Sequence, residues 1–250
     1  AQYGSPNSLD NLFKYSSKII ACSQAVADNL KEFSNSNDIR VVHSFVENTE
    51  ILNKATKSDV KTIKEKFGIS SDKIWICACG NADWRKAPDI FLQIAATTLK
   101  ISPKFGFVWI GIKNEGELFD QLKYDEKKLG IENEISWINP TNEAVEIINS
   151  CDVFLVSSRE DPFPLVVLEA ALCGKPILGF KNTGGVDEFI DDSCGIKVNY
   201  LNVSEMSNQI STLNSLKIKS LGDKSRDKVL NNYNFEISIK KIESIFEEMV

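Results

Sequence analysis

The sequence predicts an α/β protein with a doubly wound parallel sheet that is covered by helices on both faces. Two observations carry this prediction. Short apolar, β-branched runs alternate strictly with amphipathic stretches of helical length. The run WICACG at 75–80 is apolar on both faces, which is typical of a central strand in a parallel sheet.

Strands are predicted wherever a short run is rich in Ile, Val, Phe or Trp. They span residues 18–21, 39–42, 73–79, 105–112, 134–138, 152–156, 176–180 and 195–198. Helices are predicted where apolar residues recur with the helical period. They span residues 24–33, 59–67, 88–100, 115–129, 143–149, 165–173, 186–190, 203–215, 218–233 and 236–249.

A polar, charge-rich stretch at 48–72 divides the chain into a short leading piece and a complete α/β domain. The leading piece has too few strands to bury a sheet alone, so it is either an extra edge of the main sheet or the end of another domain. The predicted boundaries are a leading unit, a linker with a helix, the main domain and a C-terminal helix, at 1–46, 47–72, 73–233 and 234–250.

Composition excludes several classes of function. The balance of 29 basic and 35 acidic residues, a net charge of −6, argues against a protein built to bind nucleic acid. The single histidine, His43, rules out a multi-histidine metal site and disfavours a Ser-His-Asp hydrolase, and we expect it to be structural or exposed. No apolar run approaches the roughly 18 to 20 residues of a membrane-spanning helix.

Most of the 6 cysteines lie in or beside apolar runs, and no Cys-x-x-Cys pair occurs. This pattern predicts buried free thiols in a reducing compartment, and with no signal-peptide pattern at the start we expect a cytoplasmic protein. The chain begins at Ala1 without methionine, and we therefore expect a processed chain or a piece of a longer one.

In open α/β sheets, ligands bind beyond the carboxyl ends of the strands, so the loops there are the candidate site. The most informative loop runs from 157 to 164. Pro164 fits the first turn of the next helix, and the N–H groups of Leu165, Val166 and Val167 then point outward. Together with the basic pair at 85–86, this helix start predicts a phosphate site.

Two carboxylates flank this helix start, Asp161 before it and Glu169 within the run LVVLEAALC. Glu169 lies five residues past Pro164, roughly 7.5 Å along the helix. Carboxylates bind hydroxyls while the helix end and cations bind phosphate, a layout that suits a nucleotide sugar. Taken singly, Asp161 and Glu160 also fit helix capping, and Glu169 also fits an ion pair with a lysine.

The segment DPFPLVVLEAALCGKPI at 161–177 resembles the acid, seven residues, acid motif of family-four (group 1) glycosyltransferases of the GT-B type. The resemblance continues in GGVDEF at 184–189 and in WRKAPD at 84–89. Such enzymes have two facing Rossmann-like domains, with the donor in the C-terminal one. The resemblance covers residues 70–250 as a donor domain, and it makes 1–46 the last part of an acceptor domain.

The resemblance implies a role for each matching residue. Glu169 would hold the ribose hydroxyls and Asp161 the donor sugar. The remaining expected contacts are to the leaving diphosphate and to the base, and they involve Gly80, Arg85, Lys86, Phe163, Pro164, Leu165, Val166 and Ile138. We expect Arg85 and Lys86 to act catalytically with Asp161, through charge stabilisation in place of a metal.

The sequence departs from the family pattern at three positions. Asp161 stands where the family usually has glutamate, which leaves Glu160 as a rival. Pro164 stands where the family usually has glycine. Asn81 stands where an arginine usually follows the strand glycine, and we expect Arg85 to take over its role.

The function that the resemblance implies is retaining, metal-independent sugar transfer from a nucleotide diphosphate to a glycan or lipid-linked acceptor in surface polysaccharide synthesis. No cofactor or nucleic acid is expected, and a peripheral membrane contact is expected only through a missing N-terminal domain. The alternatives are a sugar-nucleotide epimerase and a nucleotide-sugar-binding module without activity. We expect this chain to behave like the second alternative if it lacks an acceptor domain.

Overall fold

The computed structural model describes residues 6–33 and 38–249. Among the described residues, the two parallel strands of the first unit pair with each other and with no strand of the main sheet, so the alternative of an extra edge on that sheet is wrong. Its elements are α1 (Pro6–Tyr15), β1 (Lys18–Ala21), α2 (Gln24–Lys31) and β2 (Asp38–Val41). Helix α1 was not predicted, although Pro6 stands at its first position, where the fixed φ of proline suits a helix.

The linker contains two helices, α3 (Asn48–Lys57) and α4 (Val60–Phe67), where the sequence predicts only the second. The carboxylate of Glu47 caps α3 by accepting the N–H groups of Thr49 and Glu50, at 3.0 and 2.8 Å. Helix α3 escaped prediction because its polar residues outnumber the narrow stripe around Ile51 that packs on the core.

The main sheet has six parallel strands in the order β5-β4-β3-β6-β7-β8. The strands are β3 (Ile74–Cys79), β4 (Phe105–Ile110), β5 (Ile135–Ile138), β6 (Val153–Leu155), β7 (Ile177–Phe180) and β8 (Gly195–Val198). The chain winds outward from β3 to β5 and then returns to place β6 beside β3. The switch point between β3 and β6 opens a crevice at the carboxyl ends of these strands.

Helices cover both faces of this sheet, which confirms the predicted doubly wound fold. They are α5 (Pro88–Ile101), α6 (Glu117–Leu129), α7 (Ala144–Ser150), α8 (Leu165–Leu172), α9 (Gly185–Phe189), α10 (Val203–Ser211) and α11 (Ser215–Asn232). The last helix, α12 (Phe235–Glu247), follows them in the chain. The predicted helix at 203–215 ends early because Asn214 caps α11, accepting the N–H of Lys217 at 3.0 Å.

The C-terminal segment returns to the first unit. Glu248 accepts hydrogen bonds from Lys18 at 2.5 Å and from Arg40 at 3.0 Å. The N–H of Val46 donates to the carbonyl of Tyr233 at 3.3 Å, which joins the start of the linker to the turn before α12. All six cysteines are free thiols. Within the described ranges, no helix combines the length and the apolar character that crossing a bilayer requires.

Candidate active site

The loop after β3 carries Lys86 back over the strand end. Gly80 has a φ of +154°, and a Cβ there would meet Cε of Lys86 at 3.2 Å, so the glycine leaves room for the lysine stem. Asp83 shapes the loop, since its carboxylate accepts the N–H of Lys86 at 2.8 Å and lies 3.4 Å from the guanidinium of Arg85. Lys86 therefore lies over the strand end on a loop whose shape Asp83 helps to fix.

A second loop, after β6, braces the first. Arg159 pairs through both terminal nitrogens with Asp89, at 3.0 and 2.6 Å, and its N–H donates to the carbonyl of Arg85 at 2.7 Å. The hydroxyl of Ser157 donates to the carbonyl of Lys86 at 3.0 Å. Sequence reasoning quoted this loop without assigning Ser157 or Arg159 a role, because a bond to a distant backbone carbonyl leaves no mark in local sequence.

Helix α8 begins at Leu165 beside this loop, with Pro164 just before it and no side-chain hydrogen bond capping its first turn. One part of the expectation is wrong, because the N–H of Val167 donates to the carbonyl of Pro164 at 3.1 Å. The donors that remain for a ligand are those of Leu165 and Val166. Leu165 is half exposed, so this helix end faces the crevice.

The structure brings Lys86 and Asp161 together at the helix start. The ammonium of Lys86 lies 2.5 Å from the carboxylate of Asp161, and their side chains are only 20% and 7% exposed. The stability of such a pair depends on the contact between its two charges, because each charge has lost most of its contact with water. A small cavity adjoins it, lined by Cys79, Lys86, Ser157, Ser158, Pro164 and Val166 among others.

The Gly-Gly loop after β7 holds the backbone of Asp161 from the other side. The N–H of Asp161 donates to the carbonyl of Thr183 at 2.7 Å, and the N–H of Gly185 donates to the carbonyl of Asp161 at 3.0 Å. A Cβ at Gly184 would come within 2.2 Å of that carbonyl oxygen, so only glycine permits this approach.

Glu169 lies on α8, near the end of β3. Burial raises the pKa of its carboxyl, and the positive charge of Lys54 opposes this only in part. Burial raises the pKa of the Cys79 thiol to about 12, with the negative charge of Glu169 adding to the effect and Lys86 opposing it. Cys79 is thus within electrostatic reach of both Glu169 and Lys86, which places the two predicted ligand groups at one strand end.

The other predicted residues differ in what they can offer. The ring of Phe163 is buried against His43 and Tyr233, at centroid distances of 5.5 and 5.6 Å, so only its backbone faces the site. Ile138 is buried too, and its carbonyl already accepts the N–H groups of Gly111 and Ile112. A base stacked at this edge would meet the loop after Ile138 rather than its side chain.

Among residues 6–33 and 38–249, no three or more His, Cys, Asp or Glu side chains are grouped to hold a metal ion. The structure therefore offers cations and helix N–H groups at the switch point, with carboxylates on either side of them. This arrangement can bind an anionic phosphate group between two hydroxyl-bearing groups.

The parallel sheet and the crevice at its switch point define a Rossmann-like domain of the GT-B type, and comparison with known proteins agrees on this fold. The chain resembles a crystal structure of HepE from Anabaena in complex with UDP and glucose, at a TM-score of 0.85 and 18% identity over 97% of this chain and 66% of that one. It also resembles sucrose-phosphate synthase from Thermosynechococcus elongatus, at a TM-score of 0.80 and 16% identity over 99% of this chain and 64% of that one.

The sequence matches the family Glycosyl transferases group 1 over residues 59–231, and the chain belongs to this family. It is 25% identical to N-acetyl-alpha-D-glucosaminyl L-malate synthase of Bacillus anthracis, a match that covers 99% of this chain and 65% of that protein. The chain thus spans less than two thirds of the length of this relative.

Proposed function

We propose that this chain is the donor-binding part of a retaining glycosyltransferase, which moves a sugar from a nucleotide diphosphate to a glycan or lipid-linked acceptor. The observation that carries the proposal is the buried pair of Lys86 and Asp161 at the uncapped start of α8. Lys86 suits phosphate and Asp161 suits sugar hydroxyls, so their contact supports a ligand in which phosphate and sugar are joined, as in a nucleotide sugar.

In the proposed arrangement, the diphosphate lies against the N–H groups of Leu165 and Val166, with Lys86 and Arg85 neutralising the charge that develops on it. This is electrostatic stabilisation by groups that are already in place, so no metal ion is needed in the proposal. Glu169 accepts the ribose hydroxyls, and the base rests against the loop after β5.

The proposed acceptor class follows the names of relatives. A protein of Escherichia coli that is 23% identical over 75% of this chain is named UDP-Gal:alpha-D-GlcNAc-diphosphoundecaprenol alpha-1,3-galactosyltransferase. A lipid-linked acceptor and a role in surface polysaccharide synthesis are therefore proposals for this chain. The choice of sugar and base is left to experiment.

The domain division is also a proposal. Residues 1–46 would close an acceptor domain, 47–72 would be the linker, 73–233 would bind donor and 234–250 would be the returning helix. The bonds from Glu248 to Lys18 and Arg40 support a helix that crosses back to the first unit.

Binding is tested by thermal shift with UDP-, GDP- and ADP-sugars, followed by calorimetry of UDP and GDP with and without EDTA. We expect at least one nucleotide to bind equally well in both conditions. Binding that needs added magnesium or manganese would contradict the role given to Lys86 and the helix start.

Transfer is tested separately. We expect these 250 residues to bind donor but to transfer sugar poorly, because sugar transfer in such enzymes depends on positioning and water exclusion between two domains. A turnover assay with lipid extracts as acceptor compares this chain with a longer form that includes a full acceptor domain. Equal turnover would show that an acceptor site lies within these residues.

A further inference from the structure

Glu188, on the short helix α9 of the donor domain, directs its carboxylate at the first unit. One oxygen accepts the N–H of Ala25 at 2.8 Å, and the other accepts the N–H of Gln24 at 2.9 Å. The second oxygen also lies 2.9 Å from Nε2 of His43. None of these partners belongs to the donor domain, since all three lie in the first unit or just after β2.

These contacts complete the N-terminus of α2. The hydroxyl of Ser23 caps it locally by accepting the N–H of Val26 at 3.2 Å, and Glu188 accepts the two N–H groups before it. A negative charge is favoured at this end of a helix dipole. Glu188 thus accepts two of the three N–H groups that side chains bind at this helix start, although it lies 164 and 163 residues away from them in the sequence.

The other end of the connection is Asp161. Helix α9 starts at Gly185, which lies so close to the loop before α8 that a Cβ on it would come 2.3 Å from the carbonyl oxygen of Pro162. Gly184 pairs with Asp161 as an isolated parallel bridge. Two residues, Val186 and Asp187, thus separate Glu188 along α9 from Gly185, whose N–H donates to the carbonyls of Asp161 and Pro162.

A second contact runs in parallel. The ring of His43 packs on Phe163 at 5.5 Å and on Tyr233 at 5.6 Å, directly behind the start of α8. His43, which we expected to be structural or exposed, therefore bonds to Glu188 while touching the loop between Asp161 and α8.

We infer that Glu188 is a positioning residue, which couples the orientation of the first unit to the engagement of donor sugar by Asp161. The inference rests on the proposed function, in which Asp161 holds the sugar. Because coupling between two sites is reciprocal, a sugar nucleotide that fixes Asp161 also tightens the cap of α2, whereas UDP without sugar does so less. The hydrogen bonds of the Glu188 carboxylate go to Gln24, Ala25 and His43, none of which contacts phosphate or sugar in the proposed arrangement.

The test uses the 250-residue chain with UDP and with UDP-glucose, UDP-galactose and UDP-N-acetylglucosamine as probes. Hydrogen exchange of the Ala25 amide is followed by NMR with and without each probe. We expect the best-bound UDP-sugar to slow this exchange more than UDP does. In Glu188→Gln, one acceptor oxygen becomes a donor, so the ligand-dependent slowing disappears. The Kd for the UDP-sugar then rises about 5-fold or more, while the Kd for UDP stays unchanged.

Asp187→Asn is the matched control, because it removes a carboxylate one position away on the same helix. Asp187 bonds to Lys197 and to the N–H of Asn182, both within the donor domain. We expect this variant to keep the slowing of Ala25 exchange. Gln24→Pro gives a second approach from the opposite side, since it deletes one of the two donors at a helix position that tolerates proline, and it should weaken the coupling without altering Glu188.

The outcomes separate the two proposals. If the unmodified chain binds neither these probes nor the GDP- and ADP-sugars of the thermal-shift panel, the proposed function fails. If it binds only a GDP- or ADP-sugar, the same comparison is made with that sugar nucleotide and its free nucleotide. If it binds them, and Glu188→Gln keeps the ligand-dependent slowing or Asp187→Asn loses it equally, the proposed coupling is overturned while the proposed function stands. If Glu188→Gln does not fold, the test is made with Gln24→Pro. Ligand-dependent slowing of Ala25 exchange that is unchanged in Gln24→Pro then overturns the inference.

Discussion

Two clusters of opposite charges in this molecule differ chiefly in their access to water. The inner cluster, Lys86 with Asp161, lies at the carboxyl ends of the strands and is 20% and 7% exposed. The outer cluster, Lys18 and Arg40 with Asp38 and Glu248, joins the first unit to the end of α12 at the surface. In the outer cluster, both carboxylates keep about two fifths of their exposure, at 40% and 42%.

The comparison teaches that the number of ion pairs says little about what each cluster does. Exposed charges are well solvated with or without a partner, and salt screens them. The outer cluster therefore adds little to the free energy of unfolding, although it joins two segments of the chain. Water cannot replace a lost partner of a buried charge, so removal of one partner leaves the other charge buried and unpaired. The inner pair is therefore sensitive both to mutation and to a ligand that offers new partners.

The largest effect is expected from Lys86→Ala, which leaves the carboxylate of Asp161 buried without its partner. We expect the free energy of unfolding to fall by about 3 kcal/mol. Loss of a charged hydrogen bond to phosphate should also weaken UDP by about 1.5 to 3 kcal/mol. Urea unfolding and calorimetry measure the two quantities.

The double variant Lys86→Ala with Asp161→Ala serves as the control for this prediction. It removes both charges and should recover part of the stability that Lys86→Ala loses, without recovering UDP binding. A Lys86→Ala chain as stable as the unmodified one would show that the inner pair behaves like a surface pair, and the comparison between the clusters would collapse.

The next largest effect separates the two acids. Glu169→Ala should weaken UDP and UDP-sugar alike, by about 1.5 to 3 kcal/mol for lost charged hydrogen bonds. Asp161→Asn should weaken the UDP-sugar but not UDP, since its expected partner is the sugar and the freed Lys86 can only bind phosphate more strongly. Calorimetry with both ligands measures the difference, and Glu160→Gln is measured beside them. A sugar-specific loss in Glu160→Gln alone would assign the first acid of the motif to Glu160.

The pH dependence of Glu169 gives a smaller effect with a definite sign. Because the pKa of this buried carboxyl is raised, the folded chain takes up its proton before the unfolded chain does as the pH falls from neutrality. Stability contributed by this group should therefore increase as the pH falls through the raised pKa. UDP affinity should fall over the same interval, since the ribose hydroxyls need the ionised carboxylate.

Glu169→Gln is the reference for this experiment, because the phosphates of UDP titrate in a similar range in both chains. The difference between the two calorimetric pH profiles reports Glu169 alone. Superimposable profiles would mean that Glu169 does not accept hydrogen bonds from the nucleotide.

The fold was largely predictable from the sequence because its signals are local. Each strand of the main sheet is an apolar run such as IWICAC, and every loop at the carboxyl ends follows directly from the strand before it. The elements that escaped were α1 and the capped helix α3, whose polar residues mask a narrow apolar stripe. Pairing of β1 with β2 alone could not be read either, since strand partners are decided by packing across the whole chain.

The candidate site could be predicted only where several ligand-binding groups lie close together in the sequence. Asp161, the start of α8 and Glu169 share one segment, and their spacing indicates a shared ligand. The bonds of Arg159 to the 84–89 segment and of Glu188 to α2 join residues that lie 70 or more positions apart. Sequence letters alone carry no record of such contacts, and the structure was needed to find them.

We expect the smallest effect on stability from the outer cluster, whose charges are the most exposed of those compared. The hydrogen bond from Lys18, with added attraction from Arg40, lowers the pKa of Glu248. Its contribution to stability should therefore be present above the ordinary glutamate pKa and be lost as the pH falls below it. We expect Glu248→Gln to lower the Tm only slightly at neutral pH and low salt.

Salt concentration distinguishes this small effect from the large one. Raising the salt to about 1 M shortens the screening length to about 3 Å, which should erase the difference between Glu248→Gln and the unmodified chain. The loss caused by Lys86→Ala should persist at the same salt, because its carboxylate partner is shielded by protein. Thermal unfolding of the three chains at low and high salt measures both responses. If Glu248→Gln still lowers the Tm at high salt, the outer cluster resembles the inner pair and stabilises the contact between the first unit and α12.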